Sequence, residues 1–426
     1  PVGMFMNRRL HAWDAAGKVQ QYYNCFWLYL LAVCGIALAS LMVFVEVGWV
    51  AVHTTMGWVI LLVGGSLLFA TINQVVIPGL NLLGHRGWFV ALTLATAITS
   101  LVMATIFVVG FAPRAENWIC GTLVGQLIFA AVGWRIFSTK LNTRGALQKT
   151  TKRHIKMLTG FAWPISIAVG LSWVQAQSYR FMMESILGLQ ALGLFAAGYG
   201  ISAGLISAFE SIFTTYLQPR FYKHISNEDV IAHSNAWSEY AGAIFPSLLL
   251  AGLVIVATAP ELTRVMLGVK YWSSSQFIVW GVIAEVARVA SGVYGLVAHA
   301  RMKTRLLIVP SLVGACLSVS LIWWLMPIYG SNGVGAALML SGVTVFVLTY
   351  AATRNEIVAN FSRRMLILST IMGAGLVLSA EMLRWLMGEN RSFAVTAAQL
   401  FVVGGIFLLF QYILLRPLLH GKRIDA

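Results

Sequence analysis

Charge is what this sequence has least of. Of its 426 residues, 29 are Lys or Arg and 14 are Asp or Glu, so 10% of the side chains are charged, where a soluble domain carries about 25%. With 59% apolar residues and a mean hydropathy of +0.81, there is too little polar surface to clothe a water-soluble body of this length. An ordinary cytosolic or secreted enzyme is excluded, and membrane embedding remains. Cysteine is scarce too. Cys25, Cys34, Cys120 and Cys316 stand inside apolar runs without CxxC spacing, so no thiolate metal or redox centre is expected and they read as small core residues. The opening run PVGMFMNRRLHAWDAAGKVQ lacks the apolar stretch of a signal peptide. Beginning at Pro1, the chain reads as starting partway through a longer one.

What is present is a series of apolar runs near the roughly 20 residues that cross hydrocarbon. They lie at 24–45, 57–78, 88–111, 118–137, 159–181, 194–217, 240–259, 274–298, 306–328, 333–352, 365–387 and 393–415. Twelve spanning helices are expected, hence an all-α fold, a polytopic membrane helix bundle. Trp49, Trp58, Trp88, Trp118, Trp163, Trp272 and Trp385 stand near the run ends, where an indole favours the headgroup layer. Placing residue 1 in the cytoplasm puts most of the 29 basic residues on that side, as insertion demands, so both ends are expected to be cytoplasmic. The net charge of +15 is thereby spread over separate short segments and makes no case for nucleic acid. The segment 138–158, STKLNTRGALQKTTKRHIKML, has six basic residues and no acidic one. It suits contact with anionic lipid, or simply links two lobes.

Setting residue n against n + 218 aligns Pro1 with Pro219 and Tyr22 with Tyr240, and keeps the following spans in register. Identity is low; the signal is punctuation and polarity. The repeating unit would hold six helices, an even number, so its two copies share one orientation, as in two-lobed transporters. The expected organisation is an N-terminal lobe of four spans over 1–137, the basic linker 138–158, a six-span lobe over 159–355, and two extra spans with a basic tail over 356–426. The first lobe's opening two helices would precede residue 1.

The stretch GFAWPISIAVGLSWVQAQSYRFMMESILGLQALGLFAAGYGISAGLISAFESIFTTYLQPRFYK resembles the seventh and eighth helices of the polysaccharide transporter family of oligosaccharide-lipid flippases. That family lies within the superfamily of multidrug and toxic-compound exporters and peptidoglycan-precursor flippases. The match rests on Pro164 near the start, a G-x-x-A-L-G connector (Gly188, Ala191, Leu192, Gly193) and Pro219 at a helix end. MPIYGSNGVGAALMLSG resembles the connector into the twelfth helix, and PVGMFMNRRL the end of the second. The resemblance implies two pseudo-symmetric six-helix lobes facing across a cavity, plus two C-terminal helices. It implies a bacterial inner-membrane carrier, not an enzyme, that moves an undecaprenyl-pyrophosphate-linked oligosaccharide from the cytoplasmic to the periplasmic leaflet. No cofactor, metal or catalytic residue is implied. The partners would be that lipid-linked oligosaccharide, membrane lipids, a proton or sodium counter-ion and a polysaccharide polymerase complex. A multidrug or cation antiporter of the same superfamily is the alternative; a membrane enzyme of polysaccharide assembly is another, although the outer loops are short and hold no paired acids.

A charge at the centre of a spanning helix costs about 2.5 to 3.5 kcal/mol on insertion scales, so each one is a candidate for function. Glu285 and Arg288 share a face at i, i+3, and Glu210 stands at similar depth in its own run, while Arg180 is shallower. In the functional reading, Arg288 and Arg180 bind pyrophosphate and acidic sugars, because guanidinium grips phosphate oxygens bidentately. Glu285 or Glu210 would then exchange a proton or cation. In the structural reading, Glu285 and Arg288 are a pair that lets both enter the membrane. Glu381 and Arg384 read as a local pair near a helix end, and Asn73, Gln74, Gln175, Gln177 and Tyr199 either line a sugar-accepting cavity or tie helices together.

Overall fold

The computed structural model describes residues 2–48, 55–140, 152–224, 230–356, 362–387 and 392–419, and the described residues hold α-helices, short 3-10 turns and no strand. In chain order the helices are α1 (Val2–Ala15), α2 (Val19–Glu46), α3 (Met56–Leu82), α4 (Arg86–Gly110), α5 (Ala115–Lys140), α6 (Lys152–His224), α7 (Val230–Ala257), α8 (Ala259–Met266), α9 (Ser275–Ala300), α10 (Ile308–Thr353), α11 (Arg363–Met387) and α12 (Phe393–Leu419). Among the described residues, ten helices are long and apolar enough to cross a membrane, all but α1 and α8. Trp49 and residues 141–151 of the basic segment lie outside the described residues.

Twelve expected spans become ten helices because two pairs run together. The apolar part of α6, Gly160–Tyr222, is 63 residues long, about 94 Å at 1.5 Å per residue, three times the roughly 30 Å hydrocarbon core. Where a connector was expected, one residue breaks the helix: Gly188, at φ 83° and ψ 168°. That conformation is essentially closed to residues with a Cβ. Gly330, at φ 57° and ψ −139°, breaks α10 in the same way. Long side chains such as Leu28, Val109, Phe401 and Trp385 point outward, from 71% to 83% exposed, as a lipid-facing surface requires. Trp58, Trp88, Trp118, Trp163 and Trp272 are exposed as well.

The chain divides into two compact units, Pro1–Leu158 and Thr159–Ala426. In the first, α3 packs against α1, α2, α4 and α5, and α4 lies along α5. Gly121 and Gly125, one turn apart on α5, let the α4 backbone approach so closely that a Cβ on either would collide with Ala104 or Ser100. Such small-residue seats drive helix association where lipid removes the hydrophobic force. An aromatic cluster closes the α2–α5 side, with Tyr23 and Phe137 rings 4.8 Å apart and Trp27 edge-on to Trp134 at 4.9 Å. Asn73 Nδ2 donates to the Gln126 carbonyl at 2.9 Å, tying α3 to α5.

In the second unit α7 and α9 are the enclosed helices, with 78% and 61% of their most apolar stretches buried, against 11% for α2 and α4. Trp237, fully buried on α7, donates its indole N–H to the Val293 carbonyl of α9 at 2.9 Å. The α9 helix packs along α10, α11 along α7, and α12 against α7 and α8. Gln411 of α12 donates to the Ser247 carbonyl of α7 at 3.0 Å.

Candidate functional site

The second half of α6 meets α9 at two glycines. A Cβ on Gly198 would strike the Ser274 carbonyl at the start of α9, and one on Gly281 would strike Ser202 Oγ of α6. With the helices this close, side chains one and two turns beyond Gly281 reach α6 directly. Glu285 and Arg288 occupy those turns.

Arg288 lies between two carboxylates. Its Nε donates to Glu285 Oε2 at 2.6 Å, within α9, and its Nη2 donates to Glu210 Oε2 at 2.8 Å, across to α6. Nη2 also reaches Ser207 Oγ at 3.4 Å, one turn before Glu210. The Tyr199 hydroxyl of α6 donates to the other Glu285 oxygen at 3.2 Å. The two acids differ in setting: the Glu285 side chain is 9% exposed, that of Glu210 is 26% and that of Arg288 is 44%. With both carboxylates ionised, the cluster carries one net negative charge.

The sequence pairing of Glu285 with Arg288 is therefore present, and Glu210, expected at similar depth, joins it. Arg180 does not. It is exposed on the first half of α6, with its guanidinium 5.8 Å from the Tyr179 ring, and no ion pair joins it to Glu210 or Glu285 among the described residues. Tyr199, weighed as a cavity polar group, holds the Glu285 carboxylate instead. Gln175 donates to Ser341 at 3.4 Å and accepts Ser318 Oγ on its carbonyl at 2.9 Å, so it ties α6 to α10. Ser207 was not anticipated; its position one turn before Glu210 was the available signal.

A second charged cluster sits where the last helices join the unit. Arg384 of α11 donates Nε to Glu261 Oε1 at 3.0 Å and Nη2 to Glu261 Oε2 at 2.8 Å. Its Nη2 also caps the Ala257 carbonyl that ends α7, and its Nη1 pairs with Glu381. Gln399 of α12 donates to Glu261 at 3.5 Å. Read as a local pair, Arg384 is in fact a staple across three helices. Its forked geometry suits carboxylate, and its charge suits a helix C-terminus.

Among the described residues no group of three or more His, Cys, Asp or Glu side chains is placed to hold a metal.

The sequence matches no protein-family model and no curated protein. Solved structures do match its backbone. A point mutant of the Vibrio cholerae MATE transporter VcmN superposes with a TM-score of 0.62 at 15% identity, covering 83% of each chain. The chain shares the fold of that transporter. The same transporter in its bent form gives 0.60 at 14% identity over 83% of this chain and 85% of the other. The lipid II flippase MurJ in an inward closed conformation gives 0.55 at 14% identity over 95% of this chain and 85% of its own. The fold shared with these two proteins is the one expected from the resemblance.

Proposed function

We propose that the chain is a membrane flippase that carries an undecaprenyl-pyrophosphate-linked oligosaccharide from the cytoplasmic to the periplasmic leaflet of a bacterial inner membrane. One observation carries this reading: a cluster of three ionisable side chains deep in spanning helices, within a fold shared with a lipid II flippase over 95% of the chain. Charges at such depth are costly to insert and mark substrate and ion paths. The cargo poses the matching problem. Sugar hydroxyls and pyrophosphate lose their hydration in hydrocarbon, so the headgroup needs a polar route while the lipid tail stays in the bilayer.

In this reading the two halves alternate access, with the first lobe over 1–137, the second over 159–355 and the helices beyond as an addition to it. Arg288 and Arg180 receive the anionic headgroup. Arg288 meets it when a carboxylate releases the guanidinium, and Arg180, exposed toward the periplasmic end of its span and outside the carboxylate cluster, meets it afterwards. Glu285 and Glu210 couple that release to a counter-ion. A polysaccharide polymerase would take up the delivered unit.

A second reading, a multidrug or cation antiporter, is favoured by the MATE likeness and by two carboxylates standing against one guanidinium. Deleting the gene separates the two. Loss of surface glycan with accumulation of lipid-linked precursor supports the flippase; intact glycan with raised drug sensitivity supports the antiporter and rejects the flippase.

A further inference from the structure

Where α9 stops, one residue ties the end of the second unit together. Glu356, in the 3-10 turn that follows α10, is held twice. Arg301 donates Nε and Nη2 to its main-chain carbonyl at 3.0 and 2.9 Å, and Lys303 Nζ donates to its two carboxylate oxygens at 2.7 and 2.9 Å. The segment between α9 and α10 that makes these contacts is itself fixed. Met302 takes a left-handed φ of 57°, and the buried Thr304 donates its hydroxyl to the Phe161 carbonyl of α6 at 3.1 Å. Glu356 is the only acid in the stretches 299–309 and 348–356, and its carboxylate is taken by Lys303. Two arginines are left over. Arg305 stands two residues beyond Lys303 and Arg354 two residues before Glu356, so each backbone lies within about 7 Å of a residue of the pair. Both are exposed, and neither side chain makes an ion pair or hydrogen bond among the described residues.

We propose that Arg305 and Arg354 form a binding site for the phosphate of an anionic phospholipid, on a surface that Glu356, Arg301 and Lys303 hold in place. Spanning helices begin and end here: α9 closes at Ala300, α10 opens at Ile308 and closes at Thr353. The site therefore lies at the headgroup layer, where basic pockets between spanning helices take anionic headgroups. Guanidinium grips phosphate oxygens through two parallel N–H bonds, which an ammonium does not. Asn355, exposed beside Arg354, adds an amide donor. Deeper in the membrane, Val309 in the first turn of α10 and Val347 and Tyr350 in its last two turns are exposed and offer acyl chains an apolar wall. A soluble acidic protein would meet the arginines but not this wall, which lies at hydrocarbon depth; a lipid fits both. Basic residues at a membrane boundary also serve insertion, but insertion asks only for charge and not for a pair of arginines on a fixed turn. The site is independent of the flippase reading and goes beyond it.

The test is the thermal unfolding midpoint of the full chain in neutral detergent, titrated with dioleoylphosphatidylglycerol or with dioleoylphosphatidylcholine. A saturable rise is expected with the first lipid and none with the second; equal rises overturn the proposal. Arg305→Gln combined with Arg354→Gln is expected to raise the half-saturating concentration of phosphatidylglycerol about thirtyfold. The comparison pair is Arg86→Gln with Arg135→Gln in the first unit, exposed arginines near helix ends, for which no change is expected. Similar losses in the two pairs, or a loss in neither, reduce the patch to a diffuse insertion charge and reject the site. Inorganic phosphate, which brings the anion without acyl chains, is expected to give no rise. A rise matching that of the lipid assigns the site to a free anion and rejects the lipid. If the Gln pair does not accumulate, Arg305→Lys with Arg354→Lys keeps the charge and removes the fork. Its half-saturating concentration is expected to rise severalfold, and an unchanged one counts against the arginine grip.

Discussion

The two units solve the same problem, holding helices together in hydrocarbon, by different means. In the long helices of the first, charge is confined to the ends: Glu46 closes α2, Arg86 opens α4, and Glu116, Arg135 and Lys140 lie toward the termini of α5, while α3 has none. Its helices cohere through the glycine seats on α5, an aromatic cluster and single amide contacts. The second unit adds ionic side chains at depth and at its joints, and the ion pairs described above all lie there. In the 218-residue register, Glu285 and Arg288 correspond to Leu67 and Ala70 of α3. At these two positions the first unit carries apolar side chains where the second carries an ion pair. The first unit is thus built to pack, the second to pack and to hold charge that can move.

That contrast can be broken at its joints. The largest effect is expected at Arg384. Removing either partner of the Glu261 pair, whose side chains are 19% and 5% exposed, leaves an uncompensated buried charge and should cost about 3 to 5 kcal/mol. Thermal unfolding in detergent measures it, and Arg384→Met combined with Glu261→Leu should recover most of the loss. An unchanged melting temperature in Arg384→Ala would show that the last helices are held by other contacts. In the first unit, Gly125→Val should cost about 1 to 3 kcal/mol by overpacking the α4–α5 seat, read in the same way; a neutral result would mean that the helices can part. The smallest effect is expected at Asn73→Leu. An interhelical hydrogen bond in a membrane is worth about 0.6 kcal/mol on average, so a loss as large as that at Arg384 would erase the contrast.

Much of this was legible because hydropathy is a long-range signal. Each apolar run found its helix, since spanning segments satisfy their backbone internally whatever their neighbours do. The connectors were less so. The residues Gly188 to Gly193 read as a connector from the family resemblance, yet only Gly188 leaves the helix, since Ala191 and Leu192 are good helix formers. The Glu285–Arg288 contact was legible from i, i+3 spacing alone. The arrival of Glu210 was not, because it depends on how closely α6 and α9 approach, which the glycines at 198 and 281 permit only once the helices are placed. Arg384 misled for the same reason: spacing offered Glu381, whereas the partner that encloses it, Glu261, lies 123 residues away on a helix too short and too polar to register as a span.

The most direct measurement is export in cells whose only copy of the full-length protein carries Arg288→Ala, with membrane abundance followed in parallel. If Arg288 serves transport, surface glycan should fall and lipid-linked precursor should accumulate while abundance holds, because the half-exposed guanidinium contributes less to folding than the staple at Arg384. Undiminished export from that variant would contradict the role given to the α6–α9 cluster, and a fall in abundance matching the fall in export would make the cluster a structural pair.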